Sequence, residues 1–319
     1  MSERDWIRRY LAPLATAPGA ARLTDDTAEL SRSTGAVVIT TDAMVEGIHF
    51  LASDPIDSIA RKLVRVNVSD ILASGAEPSE ALLTLGWPSS RPENDLADFA
   101  AALGDELSAW GAGLIGGDTV SSPSGLFLSL TLTGRCIGPG PIRRGGAKAG
   151  DELWVTGEIG GPRRGFLARE AGTGSLWIAS LLTPVLPVRG AAQLLASFAS
   201  AAMDISDGLL GDARSLAEAS GQGAEIDLDS VPFAGGAADL AEKIDLSTWG
   251  DDYQLLFAVP PEARLNLLDE AARLGLRISR VGRIRAEPGL VVVAEGKSVN
   301  LPETIGFEHG RIGMSATRP

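Results

Sequence analysis

Aspartates recur beside glycine, serine or threonine in five short segments of this 319-residue chain. Because the chain has only two histidines and one cysteine, strong chemistry must come mainly from carboxylates and backbone amides. Carboxylate oxygens are ligands that suit Mg²⁺, and Mg²⁺ in turn suits phosphate groups. One such segment alone is most often a turn or a helix cap, whereas five together predict a phosphate and metal site. The segments are TDDTAEL at Asp25–Asp26, ITTD at Asp42, NVSD at Asp70, LIGGDT at Asp118, and AMDISDG at Asp204 and Asp207.

Two of these aspartates fall on different kinds of element. Asp42 closes the β-branched run AVVITTD, which predicts a buried strand that ends at this residue and holds it rigidly at the edge of a cleft. Asp70 falls inside the helical spacing that runs from Ile56 to Ala73, and Asn67 three residues earlier shares its face. A carboxylate that faces inward there needs a cation or a donor, whereas one on a solvated stripe needs neither. Both interpretations of Asp70 stay open at this point.

The remaining segments combine aspartate with features that receive phosphate. Two glycines precede Asp118 in LIGGDT and allow close backbone approach or positive φ, so this arrangement can offer amides to phosphate and a carboxylate to a metal. In AMDISDGLLGDA, Ser206 is predicted to cap a helix whose first turn contains Asp207, where the helix dipole favours negative charge. Capping does not explain Asp204, which is predicted to end a strand.

A basic loop, IRRGGAKAGDE, carries Arg143, Arg144 and Lys148 beside paired glycines. Such a loop either receives the phosphates of a nucleotide or is merely solvated. The sequence contains no G-x-x-x-x-G-K-[ST] loop, and no G-x-G-x-x-G follows a strand. Binding of ATP would therefore use neither common phosphate loop.

Composition narrows the class of protein. With 45% hydrophobic and 22% charged residues the chain is an ordinary globular protein, and its net charge of −13 argues against nucleic acid and anionic membrane surfaces as partners. No apolar run reaches the ~20 residues of a membrane span and the N-terminus lacks the core of a signal peptide, so we expect a cytoplasmic protein. The lone Cys136 cannot form an internal disulfide and is predicted to be a buried structural thiol.

The order of predicted elements indicates a mixed α/β fold in two domains. A chain of this length favours two domains of about 140 to 180 residues. The turn-rich stretch 138–152 is the best boundary, which gives domains 1–138 and 139–319. Strands are predicted at 36–42, 80–88, 113–120, 126–138, 152–158, before 204, and at 223–229, 253–260, 277–284 and 289–296, with helices at 56–73, 95–111, 163–171, 188–199, 207–219 and 261–275.

In their order, the motifs resemble the thiamine-monophosphate kinases. This family belongs to the superfamily of ATP-dependent enzymes that includes aminoimidazole ribonucleotide synthetase, selenophosphate synthetase and the hydrogenase maturation protein HypE. The similar segments span Asp25 to about His309, and the string V-E-G-I-H-F favours this family over its superfamily relatives. The most specific segments are TTDAMVEGIHF, VNVSDILASGAEP, LIGGDT, GAKAGDELWVTG, DISDGLLGDA and GDDYQLLF.

The resemblance implies roles for individual residues. It implies an N-terminal sheet domain that forms a homodimer and binds ATP and Mg²⁺, and a C-terminal α/β domain that completes the active-site cleft. Of the residues below, it places Asp42, Asp118 and Asp207 closest to catalysis. The implied Mg²⁺ ligands are Asp26, Thr41, Asp42, Asp70, Asp118, Asp204 and Asp207, with Thr40 as a further candidate; the positions that contact ATP are Gly117, Asp118, Arg144 and Ser206; and those that hold thiamine phosphate are His49, Asp251 and Phe307.

The implied reaction is direct in-line transfer of the γ-phosphoryl group of ATP to thiamine monophosphate, which gives thiamine diphosphate and ADP with the help of several Mg²⁺ ions. Two alternatives stay open: an ATP-dependent synthetase or kinase with a different acceptor, and a noncatalytic protein that binds nucleotide or thiamine phosphate. From the residues alone, His49 is better explained as a strand-end histidine bonded to a neighbour.

The chain departs from the usual family pattern in three places. Thr24–Thr27 replaces Gly-Asp-Asp-Ala, and Gly161–Arg164 replaces Gly-Asp-Ser-Ala. In the third place, Trp249 and Gln254 flank Asp251 where Gly and Glu are usual. A tryptophan there adds a large side chain, so we expect an altered acceptor pocket beside an intact metal cluster.

Overall fold

The structure is a computed structural model that describes residues 7–16, 33–302 and 305–306. Its described residues form two compact units of mixed α/β structure, which confirms the predicted fold class. The first unit contains residues 7–16, 33–71 and 77–136; the second contains 72–76, 137–302 and 305–306.

A four-stranded sheet with the strand order β1-β4-β2-β3 forms the first unit. Strands β1 and β4 pair antiparallel, whereas β2 and β3 pair parallel. Helix α1 has the predicted bounds, because its apolar spacing is regular and Gly75 turns the chain directly after it. The elements are β1 (Val37–Val45), α1 (Ile56–Ala73), β2 (Ala76–Pro88), α2 (Glu93–Ala109), β3 (Gly113–Ser122) and β4 (Phe127–Cys136), with short helical turns at Ile7–Leu11 and Ala12–Leu14.

The two faces of this sheet differ in what covers them. Leucines 128, 130 and 132 of β4 are fully buried on the face that carries the helices, where Trp87 of β2 packs edge-on against Phe99 of α2. The opposite face exposes apolar side chains, and we call it the open face. Its exposed apolar residues are Val37, Ile39, Val45, Leu82, Val120 and Phe127.

Strand β1 corrects one expectation. The predicted buried strand ending at Asp42 is wrong, because β1 continues to Val45 and its side chains alternate between exposed and partly buried. The reason is that β1 is an edge strand with one open face, so only alternate side chains meet the helices. Cys136 at the end of β4 is likewise only partly buried, and its burial raises the pKa of the thiol.

A seven-stranded sheet with the strand order β11-β10-β7-β9-β5-β8-β6 forms the second unit. Strands β7 and β10 pair parallel, and the other pairs are antiparallel. The elements are β5 (Glu152–Thr156), α3 (Gly161–Glu170), α4 (Trp177–Leu182), α5 (Gly190–Phe198), β6 (Ala201–Asp204), α6 (Leu209–Ala219), β7 (Gly223–Asp227), α7 (Leu240–Thr248), β8 (Leu255–Val259), α8 (Arg264–Leu274), β9 (Ile278–Arg285), β10 (Gly289–Ala294) and β11 (Lys297–Ser298), with a 3₁₀ turn at Pro261–Ala263.

Helices α4 and α7 and strand β11 were absent from the sequence-based prediction. Helix α7 carries a usable signal, since the Asp239 carboxylate accepts a hydrogen bond from the backbone N–H of Glu242 at 2.9 Å and so caps the helix. In the part of the chain that the structure describes, no helix is long and apolar enough to cross a membrane.

Candidate functional site

The first unit brings four predicted polar residues together between β1 and α1. Thr40 and Asp42 lie two residues apart on β1 and share the face toward α1. Thr40 Oγ1 donates to Asp70 Oδ2 at 2.5 Å, and the backbone N–H of Asp42 donates to Asn67 Oδ1 at 3.1 Å. The Asn67 amide is fully buried, and its Nδ2 donates to the carbonyl of Leu63 at 2.9 Å. The solvated-stripe interpretation of Asp70 is therefore excluded, because the helix turns both polar side chains toward the sheet.

Electrostatics at this cluster favour a cation. Burial, and secondarily the charge of Asp70, raises the pKa of Asp42 to about 6. Hard carboxylate and hydroxyl oxygens are the donor set that suits Mg²⁺. The raised pKa reports mainly the cost of burying the Asp42 carboxylate, to which the nearby charge of Asp70 adds, and a bound cation would lower that cost. Among the described residues, no group of three or more His, Cys, Asp or Glu side chains is assembled to hold a metal ion. Asp26, an expected ligand, lies outside the residues that the structure describes.

Thr41 and Asp118 lie on the open face, away from Asp42. The Thr41 hydroxyl hydrogen-bonds with those of Ser129 at 3.3 Å and Thr131 at 3.1 Å on β4. Asp118 is exposed on β3, two positions after a glycine that packs against Leu82 of the open face. Since β1 and β3 are the opposite edges of the sheet, a single copy of this sheet does not bring Thr41 or Asp118 to Asp42.

The Gly116–Gly117 pair brings β3 close to the backbone of β2, and the predicted contact of this pair with phosphate stays a prediction. The register with which β2 pairs with β3 shifts between Ala81 and Leu82, beside this glycine pair. A Cβ on Gly117 would lie 1.9 Å from the carbonyl oxygen of Leu83. Only glycine fits there, so any side chain at residue 117 would displace the strand that carries Asp118.

In the second unit, helix α6 begins later than predicted. It starts at Leu209, and Gly208 is the cap residue with φ 120°. A Cβ on Gly208 would lie 2.8 Å from the carbonyl carbon of Thr248, so only glycine fits this turn. The predicted cap at Ser206 and the first-turn position of Asp207 are therefore wrong.

Asp212, rather than Ser206, accepts hydrogen bonds from backbone N–H groups at the start of α6. Its Oδ2 accepts hydrogen bonds from the backbone N–H groups of Asp207 and Gly208, each at 3.2 Å. Burial, followed by the charge of Asp207, raises the pKa of Asp212 to about 7. Asp212 is not among the residues predicted from the sequence, although its position in the first turn of a helix is a recognisable signal.

The loop before β8 lies against the loop before α6. Asp251 has φ 63°, and its backbone N–H donates to the carbonyl of Ser206 at 2.9 Å. A Cβ on Gly250 would lie 2.3 Å from the same carbonyl oxygen. The Tyr253 hydroxyl is 3.3 Å from Asp251 Oδ1. This arrangement brings the predicted residues Ser206, Asp207 and Asp251 together, with the backbone of Asp251 in the left-handed region.

Asp252 is a second carboxylate of this region that is not among the residues predicted from the sequence. Its Oδ1 accepts a hydrogen bond from the backbone N–H of Gly160 at 2.7 Å, and Oδ2 has no hydrogen-bond partner within the described residues. Burial, with further contributions from Asp251 and Asp212, raises its pKa well above the usual range. Burial beside two other carboxyl groups therefore disfavours the charged form of Asp252.

The other predicted residues of this unit lie around the same loops. Asp204 ends β6 and is 4% exposed. The Arg144 side chain is exposed, and its positive charge opposes the rise in the pKa of Asp212. Ser220 fixes the basic loop, because its Oγ accepts from the backbone N–H groups of Gly146 and Ala147 at 3.2 Å each.

Two departures from the family pattern contact each other. The Trp249 ring stacks on the Phe166 ring, with 4.6 Å between the ring centres. The Arg163 guanidinium lies 4.2 Å from the centre of the Trp249 ring and also forms an ion pair with Asp245. Gln254 is buried and accepts from the Thr156 hydroxyl at 2.8 Å. The added side chains therefore pack within the unit.

His49 lies in the turn that follows β1, where its Nδ1 accepts a hydrogen bond from the backbone N–H of Val45 at 3.0 Å. The residue-based interpretation of a hydrogen-bonded histidine is confirmed, and its substrate role stays a prediction. Phe307 lies outside the described residues. The preceding Gly306 lies beside Asp207, since a Cβ on Gly306 would lie 3.4 Å from the carbonyl oxygen of Asp207.

Comparison with known proteins supplies independent information. Residues 24–136 match the N-terminal domain of the AIR synthase related proteins, and residues 148–295 match the C-terminal domain. The thiamine-monophosphate kinase of Caulobacter vibrioides is 37% identical over 97% of this chain and 91% of its own length. The crystal structure of the kinase from Stenotrophomonas maltophilia has a TM-score of 0.75 and 31% identity over 86% of this chain and 90% of its own. A structure of AaThiL complexed with AMPPCP and TMP has a TM-score of 0.75 and 28% identity over 90% of this chain and 91% of its own.

Proposed function

The chain belongs to the thiamine-monophosphate kinase family, and from that membership we propose that it transfers the γ-phosphoryl group of ATP to thiamine monophosphate. The products are thiamine diphosphate and ADP, so the reaction completes thiamine diphosphate biosynthesis. The observation that carries the proposal is the inward-facing pair of Asp42 and Asp70 on β1 and α1. The AaThiL complex with AMPPCP, an ATP analogue, and TMP supports both substrates.

The chain's oxygen ligands fit Mg²⁺. When bound, Mg²⁺ neutralises the charge of two mutually repelling phosphate groups and holds them for in-line transfer. Burial and the charge of Asp70 make the ionised form of Asp42 costly, and a bound cation would lower that cost. The Asp207 carboxylate is exposed just before α6. The proposed ligands are Asp26, Thr40, Thr41, Asp42, Asp70 and Asp118 in the N-terminal part, and Asp204 and Asp207 in the C-terminal part.

The protein's own task is mainly to position the two substrates. The acceptor phosphate oxygen is already anionic near neutral pH, so the reaction needs no strong general base. Gly117, Ser206 and Arg144 contact ATP in this proposal. Asp251, His49 and Phe307 hold thiamine monophosphate.

We further propose a homodimer that forms through the open face of the first unit. Ile39 is 68% exposed and Val120 is 50% exposed on this face, and apolar surface of this extent is a common feature of subunit interfaces. Asp118 lies on the same face, which would place it at the subunit boundary. Residues 1–138 would then bind ATP and Mg²⁺ and dimerise, and residues 139–319 would supply the remaining ligands, in a cytoplasmic enzyme.

An acceptor panel tests the proposal. Purified protein with Mg²⁺ and ATP is assayed for ADP release with thiamine monophosphate, thiamine, and unrelated phosphorylated acceptors, and calorimetry measures binding of the nonhydrolysable analogue AMPPCP. We expect turnover with thiamine monophosphate. Turnover only with another acceptor, or binding of AMPPCP without turnover, would contradict it.

A further inference from the structure

The turn that contains His49 is joined to other segments of the first unit by hydrogen bonds and an ion pair. The sequence of the turn does not indicate these bonds. Within the turn, the backbone N–H groups of Ile48 and His49 donate to the carbonyl of Val45 at 3.1 and 3.0 Å, and that of Gly47 donates to the carbonyl of Phe50 at 2.8 Å. Phe50 is 5% exposed and anchors the far end. The imidazole closes the turn through its bond from the Val45 N–H.

Glu46 joins this turn to two other segments. Its Oε2 accepts from Arg91 Nη2 at 3.0 Å and from the backbone N–H of Leu126 at 3.2 Å, and its own N–H donates to the Leu126 carbonyl at 3.0 Å. A Cβ on Gly125 would lie 3.0 Å from Glu46 Oε1, so a glycine there leaves room for the carboxylate.

Arg91 contacts both ends of the turn. Besides Glu46, it donates to the carbonyl of Ala52 at 3.3 Å and to Asp95 of α2 at 3.1 Å. The Arg91 and Glu46 side chains are only 13% and 20% exposed, whereas those of the i,i+3 pair Arg273 and Glu270 are 66% and 25% exposed. Shielded, charge-assisted bonds to several partners hold a geometry that an exposed pair does not.

We propose that Glu46 and Arg91 are positioning residues that fix the His49 turn, and with it the neutral imidazole tautomer that donates only through Nε2. The reason is that Nδ1 accepts from Val45 and therefore carries no proton, which leaves the ring proton on Nε2. A fixed N–H at this position suits a phosphate oxygen. The inference rests on the proposed function, because the phosphate in question is that of thiamine monophosphate.

Steady-state kinetics of Glu46→Gln and Arg91→Met test the proposal. Both variants should raise KM for thiamine monophosphate about tenfold and leave KM for ATP and kcat within about twofold, because the loss concerns acceptor binding. Glu270→Gln, which removes an exposed pair, is the matched control and should leave every constant unchanged. Folded variants with unchanged KM for thiamine monophosphate, or with equal losses for both substrates, would overturn the proposal.

A ¹⁵N NMR spectrum of the imidazole nitrogens reports the tautomer of His49. This tautomer would not change if Glu46 and Arg91 had only a structural role. The chain has two histidines, so His309→Asn assigns the His49 signals. We expect unprotonated Nδ1 and protonated Nε2 in the wild type, and signals averaged between tautomers in Glu46→Gln.

If the Glu46→Gln variant does not fold, Arg91→Lys replaces it, since lysine keeps the charge but loses the guanidinium N–H groups that reach three partners. An unchanged tautomer in the folded variant would also overturn the proposal. A wild type that binds no thiamine monophosphate but retains the fixed tautomer would refute the proposed function alone.

Discussion

The Thr40 hydroxyl donates a hydrogen bond to Asp70 Oδ2 across 2.5 Å, and this bond joins β1 to α1. It orients one carboxylate while the neighbouring Asn67 amide holds the backbone of Asp42. Strand and helix therefore present two acidic side chains in a fixed relation. The consequences can be tested one residue at a time.

Thr40→Val removes the donor to Asp70 and keeps the shape of the side chain. We expect a loss of about 1 to 3 kcal/mol in the free energy of unfolding, because a partly buried carboxylate loses a hydrogen bond. Urea denaturation in the absence of metal ions measures this free energy of unfolding. Thr131→Val, which removes a hydroxyl of the open face, is the control; equal losses in both variants would contradict the special role of Thr40.

Binding of Mg²⁺ should depend on pH through Asp42. The pKa of this carboxyl is raised to about 6, so below that pH Mg²⁺ must displace a proton. We expect millimolar Mg²⁺ to raise the melting temperature at pH 7.5 and much less at pH 5.5. Asp42→Asn should abolish the difference. A wild-type protein that Mg²⁺ does not stabilise at either pH would count against the cluster.

Asp212→Asn should stabilise the metal-free protein at alkaline pH. The folded pKa of about 7 exceeds the ordinary 3.8, so the wild type loses stability as pH rises from about 4 through 7, and asparagine removes this titration. At about 1.36 kcal/mol per pKa unit, the gain at pH 8 has an upper bound of about 4 kcal/mol. Unfolding in urea with EDTA at pH 5 and pH 8 checks it, with the exposed Asp98→Asn as control. A variant less stable than wild type at pH 8 would refute the account of this carboxyl.

Ile39→Asp should break the proposed homodimer. Ile39 is 68% exposed on the open face, and a charge there would be buried without a partner in the interface. Sedimentation analysis should show dimeric wild type and a folded monomeric variant. Leu265→Asp on α8 replaces a residue that is 74% exposed and should leave the dimer intact. A wild type that is monomeric at micromolar concentration would contradict the interface.

Regular local patterns made much of the fold predictable. Helix α1 was identified to the residue because apolar side chains recur at helical spacing and Gly75 follows it. Helix α7 was missed because its apolar pattern is weak, although Asp239 and Glu242 mark its start. The open face of β1 is not predictable from its sequence, because β-branched residues do not reveal which face of an edge strand is open.

The site was predictable only where a signal is local. Asp42, Asp70 and Asn67 followed from their positions on a strand and a helix. The start of α6 was misplaced because Ser206 has the right chemistry for a cap, whereas the contact of Gly208 with Thr248 joins distant parts of the sequence. Asp252 and the Glu46–Arg91 pair have partners that become neighbours only in the folded chain, so no local pattern indicates them. The partners of Asp212, by contrast, are the nearby Asp207 and Gly208, so its role was open to prediction from the sequence.

The most direct test of the central claim follows the transferred group itself. ATP labelled in its γ-phosphate is incubated with the protein, Mg²⁺ and thiamine monophosphate, and the products are separated. We expect the label in the terminal phosphate of thiamine diphosphate, unlabelled ADP, and a loss of at least about a hundredfold in rate for folded Asp42→Asn and Asp118→Asn. Label that appears only in inorganic phosphate, or near-normal transfer by both variants, would contradict the account.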